Sequence, residues 1–63
     1  MTWSTEKPSE SGRYDMRLPP GQREHFDVPD CGYYTGRYDA DRSVFSCALM
    51  TAAWIPGMEM RPA

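Results

Sequence analysis

At 63 residues the chain is a single small domain, and a chain of this size buries only about 60% of its unfolded surface. Five branched aliphatics (Leu18, Val28, Val44, Leu49, Ile55) stand beside eight aromatics and five methionines, enough for one thin aromatic core but not for the walls of a large cofactor cavity; no cofactor is expected. The net charge of −2 is uneven: Glu24 to Asp41 holds five acids and one arginine, a local −4, so the basic footprint of direct nucleic-acid binding is missing.

Taken from the N-terminus, "MTWSTEKPSESG" has no apolar run, and no later stretch could span a membrane, so a cytoplasmic location and reduced thiols are expected. "KPSESG" reads as a turn, with Pro8 fixing φ and Gly12 permitting the bend. "RYDMRL" then alternates: Tyr14, Met16 and Leu18 fall on one side, Arg13, Asp15 and Arg17 on the other, which predicts a half-buried strand. "PPG" at Pro19–Gly21 stops it. "REHFDVP" alternates more weakly, setting Glu24, Phe26 and Val28 against Arg23, His25 and Asp27, and predicts a short edge strand ended by Pro29.

"DCGYYTGRYDADRSVFSC" reads as a β-hairpin whose turn is Asp39 to Arg42. Tyr38 then pairs with Ser43, Arg37 with Val44, Gly36 with Phe45 and Tyr34 with Cys47. Tyr34, Tyr38, Phe45 and Cys47 share one face; Thr35, Arg37 and Ser46 share the other. Phe45 would cover the gap left by Gly36. Beyond Ser46 a strand to about Leu49 competes with a short helix from Ser43, followed by a bend and a last strand through Trp54 and Ile55. Pro56–Gly57 ends that strand, and "MEMRPA" reads as a loosely tethered tail.

Chemistry-bearing residues are few. Cys31 and Cys47 are open to three readings: thiols, a bridge, or metal ligands with His25. The spacing of the three lacks the close pairs of a zinc site, so no metal site is expected. His25 has only Asp27 and Glu24 nearby as weak orienting acids, and the chain holds no phosphate loop, so no catalytic residue is expected. Asp39 and Asp41 in "DAD" are ordinary turn residues. An acidic middle segment is ordinarily a solvated face, and its sharper reading is a surface aimed at a basic groove. On that reading the partner-binding residues are Glu24, Asp27, Asp30, Tyr33, Asp39 and Asp41, with Tyr33 as the aromatic anchor.

The two ends, "TWSTEKPSESGRY" and "TAAWIPGMEMRP", resemble a family of small phage and prophage proteins of unknown function. That family opens with Trp, a proline turn and Gly, and closes with a Trp-x-Pro strand; the matching residues are Trp3, Pro8, Gly12, Trp54 and Pro56. Ala53 stands where a histidine is usual, and Gly57 where an apolar residue is usual. The family has no known active site, so the resemblance transfers no catalytic residue. It implies a setting, since small acidic phage proteins commonly occlude a host protein, and inhibitors of CRISPR–Cas complexes are one such class.

The expected fold is a mainly β, antiparallel meander of three to five short strands with at most one helical turn; α+β is the alternative. Trp3, Tyr14, Met16, Phe26, Tyr34, Phe45 and Trp54 are expected to dominate its core. The expected function is non-enzymatic: inhibition of a host protein complex, such as a CRISPR–Cas effector, by a monomer or weak dimer without direct nucleic-acid or membrane contact. The rival from another class is a structural module that buries a strand edge against its own copy; a small metal-binding module stands behind both.

Overall fold

The alternation in "RYDMRL" becomes strand β1 (Gly12–Arg17), with Tyr14 and Met16 turned inward and Asp15 and Arg17 outward. The computed structural model describes residues 2–29 and 31–63. Four further strands follow: β2 (Tyr34–Asp39), β3 (Val44–Ser46), β4 (Thr51–Ala53) and β5 (Glu59–Pro62). They form one antiparallel sheet in the order β4-β3-β2-β1-β5, so the chain is mainly β, as expected.

Inward positions of all five strands supply Met16, Tyr34, Tyr38, Phe45, Ala52 and Met60 to the core, and loops add Val28 and Met58. The expected tryptophans do not lead it. Trp3, Tyr14, Phe26 and Trp54 are half-buried, whereas Met16, Met58 and Met60 are at most 2% exposed. A single sheet covered only by loops leaves irregular gaps, which unbranched methionine fills better than a rigid indole.

Several expectations are corrected. "REHFDVP" is not a strand: Arg23–His25 form a single 3-10 turn, and no residue of that turn is buried. Gly21, at φ +84°, sits in a turn closed by Gln22 N–H donating to Pro19 O, and Asp27 takes φ +51°, which ends any strand alternation. The hairpin pairs Tyr38 with Phe45 and Asp39 with Val44, two residues away from the expected register. Its turn is therefore residues 40–43, held by Asp39 Oδ1, which accepts the N–H groups of Asp41 (3.0 Å) and Arg42 (3.4 Å), while Ser43 adopts φ +56°. Cys47, not Phe45, lies over Gly36: a Cβ added there would come within 2.8 Å of Cys47 Cβ.

β3 ends at Ser46 rather than near Leu49, and β4 ends before Trp54 and Ile55. The tail is not loose. Glu59–Pro62 pair with β1 as β5, because Met58 and Met60 anchor it in the core. Ser4 adds a short bridge to the outer edge of β5 opposite Met60.

Candidate functional site

On the outward face of β1 and β5, Asp15, Arg17, Glu59 and Arg61 pair with one another. Arg17 lies opposite Glu59 and Asp15 opposite Arg61. Arg17 Nε donates to Glu59 Oε1 at 3.0 Å, and Arg61 Nε donates to Asp15 Oδ2 at 3.0 Å. The Thr35 hydroxyl donates to the other Asp15 oxygen at 2.8 Å. The hydrogen bond from Thr35, then that from Arg61, holds the Asp15 carboxyl below its ordinary range, against a smaller opposing effect of desolvation.

Trp3 completes this face. Two guanidinium groups lie over its ring, Arg17 at 4.3 Å and Arg61 at 4.4 Å from the centroid, and the ring meets Tyr33 edge-on at 5.9 Å. Arg61 also lies over the Tyr33 ring at 5.2 Å. Tyr33 is thereby fixed in orientation while 44% exposed. This cluster escaped the sequence reading, although a signal was present. Asp15-x-Arg17 and Glu59-x-Arg61 are complementary when laid antiparallel, each acid meeting a base.

The residues expected to meet a partner fall into two groups. Glu24, on the 3-10 turn, lines an open groove with Gly32 and Tyr34 near the start of β2; Asp27 follows in the same loop, and Tyr33 immediately precedes the strand. Asp39 ends β2 and Asp41 stands in the turn after it. β2 spans about 17 Å at the usual strand rise, so the acids do not form one cluster. Asp30 lies outside the described residues. Glu24, Asp27 and Asp41 are exposed, and among the described residues none has an ion-pair partner. Asp39 is half-buried and committed to its turn, with Arg42 Nε 3.8 Å from its second oxygen.

Both cysteines are free thiols, Cys31 exposed and Cys47 half-buried. His25 is exposed on the 3-10 turn. Among the described residues no three His, Cys, Asp or Glu side chains are gathered as a metal site, and no helix is long and apolar enough to cross a membrane. No family model matches the chain, and neither a curated protein nor a solved structure is significantly similar to it.

Proposed function

We propose that the chain acts by binding, as a non-enzymatic phage-type accessory protein that docks on a basic groove of a host protein or nucleoprotein complex and blocks it. A CRISPR–Cas effector is the host complex this reading favours. One observation carries it: the acids on β1 and β5 are paired with arginines, whereas Glu24, Asp27 and Asp41 are exposed on turns without an internal partner among the described residues. Docking on a basic surface would break no ion pair at those three positions. Their charge would speed encounter and set orientation, and Tyr33, already oriented by Trp3 and Arg61, would serve as an aromatic anchor.

The two acidic groups are within reach of one contact. A standard interface takes roughly 800 Å² from each partner. The whole chain exposes 4209 Å² and measures 27 × 21 × 19 Å, so such a patch extends along the full length of β2.

The test adds purified chain to a CRISPR–Cas effector binding its target DNA. Inhibition is expected, weakening as salt rises. Combining Glu24→Gln with Asn at Asp27, Asp30, Asp39 and Asp41 should abolish it while the circular dichroism spectrum is unchanged, since an asparagine in place of Asp39 retains the turn-capping oxygen. Full inhibition by that variant at moderate salt, or no inhibition by the natural chain, rejects the reading.

A further inference from the structure

β4 ends the sheet, and hydrogen-bond directions determine which of its groups are unused. Trp54 N–H donates to Ser43 O at 2.8 Å, and Cys47 N–H donates to Met50 O at 2.9 Å. Met50, Ala52 and Trp54 therefore address β3, and strand alternation turns the N–H and C=O of Thr51 and Ala53 toward the open edge. At the opposite end, Ser4 and Met60 exchange both backbone hydrogen bonds at 2.9 Å, so β5 is partly covered.

Natural edge strands are ordinarily protected by charge, proline or a bulge. Thr51–Ala53 has neither charge nor proline, and the whole run from Ser43 to Met58 contains no Asp, Glu, Lys or Arg. Leu49, in the two-residue bend between β3 and β4, is 51% exposed. Only the shortness of β4 limits pairing.

We propose that β4 is a dimerisation edge, to which a second copy of the chain adds its own β4 antiparallel about a two-fold axis at Ala52. That register is self-complementary. Thr51 meets the partner's Ala53, twice by symmetry, and the four unused N–H groups find the four unused carbonyls. Met50 then faces the partner's Trp54, and the bend carrying Leu49 adjoins the partner's Ile55, so each apolar flank meets an apolar flank. The uncharged run selects a copy of itself over a charged strand: it has no like charge to repel and offers no opposite charge to attract.

The contact is smaller than the roughly 800 Å² per partner of a standard interface, so the dimer is weak, with a dissociation constant on the order of 100 µM. It does not rest on the acidic surface, and the charge variants described above leave it intact.

Sedimentation equilibrium from about 20 µM to about 1 mM should show monomer passing to dimer across that constant. Amide exchange should slow with concentration at Thr51 and Ala53, whose N–H groups face outward, far more than at Ala52. Ala53→Pro deletes one outward N–H without touching the ladder to β3, and Leu49→Lys places a charge on each side of the contact. Each should weaken association at least about tenfold while the circular dichroism spectrum is retained. If Ala53→Pro perturbs folding, Leu49→Lys, at an exposed side chain, decides. A monomer at about 1 mM, or a dimer that Leu49→Lys leaves unchanged, overturns the proposal.

Discussion

Tyr38 places its ring in the core at 1% exposure, edge-on to Tyr14 and Trp54, yet its hydroxyl has no hydrogen-bond partner among the described residues. The other tyrosines of the inward face differ. Tyr14 Oη donates to Glu10 O at 2.9 Å and Tyr34 Oη to Pro29 O at 2.6 Å. An unsatisfied buried hydroxyl costs about 1–3 kcal/mol, and Tyr38→Phe keeps the ring while removing that cost. The variant should be neutral or stabilised by about 1 kcal/mol in urea unfolding, and a loss of that size would show that the hydroxyl has a partner. Gly36 is the converse case. A Cβ there meets the Ser46 carbonyl and lies 2.8 Å from Cys47 Cβ, so Gly36→Ala should destabilise by about 1–3 kcal/mol through overpacking. A Gly36→Ala protein as stable as the natural chain would mean that β3 moves away without cost.

At the scale of elements, two signals fix strand register, and they act on different slips. Apolar alternation forbids a slip of one residue, which would turn every side chain to the other face, but it does not oppose a slip of two. Between β1 and β5 the even slip is opposed by charge: moving two residues one way sets Asp15 against Glu59, and the other way sets Arg17 against Arg61. Arg17→Glu should therefore cost about 0.5–1 kcal/mol, and adding Glu59→Arg should recover most of it in a double-mutant cycle. A coupling near zero would leave Met58 and Met60 alone to hold β5.

No such charge pair spans β2 and β3, and that is where sequence and structure part. The inward set Tyr34, Tyr38, Phe45 and Cys47 was legible from alternation, while the register was not. Moving a four-residue turn one position along the chain shifts the pairing by two, and the placement is decided by the Asp39 cap and by Ser43 at positive φ. The tail was missed for a related reason. "MEMR" does alternate, Met58 and Met60 against Glu59 and Arg61, but over four residues only, and the strand it pairs with, β1, lies more than forty residues away. In the candidate site, the exposure of Asp41 was legible from its turn context, whereas Glu24 and Asp27 were expected on a strand and are exposed on a 3-10 turn and the turn after it, and the Trp3–Arg17–Arg61–Tyr33 cluster joins residues from distant segments.

For the whole molecule, the consequence of a thin core is that stability depends on a few contacts between distant segments. Asp15 is one of them: it accepts from Thr35 on β2 and from Arg61 on β5 while itself on β1, tying the three strands together, with only 13% of its side chain exposed. Its pKa in the fold lies below the ordinary 3.8, so the folded state binds the proton less readily than the unfolded chain. The stabilisation is fully present above the ordinary value and is lost as pH falls through the lowered one. Asp15→Asn keeps an acceptor for Thr35 but no charge for Arg61, and should cost about 1–2 kcal/mol at neutral pH. The gap between natural chain and variant should narrow as pH falls from about 5 toward 2, because protonation makes the natural side chain equally neutral. Thr35→Ala removes the largest cause of the lowered pKa, so the acid loss of stability should be smaller and should finish at higher pH. Urea midpoints at a series of pH values check both. A stability gap of the same size at pH 2 and pH 6 would place the acid-sensitive group elsewhere than Asp15.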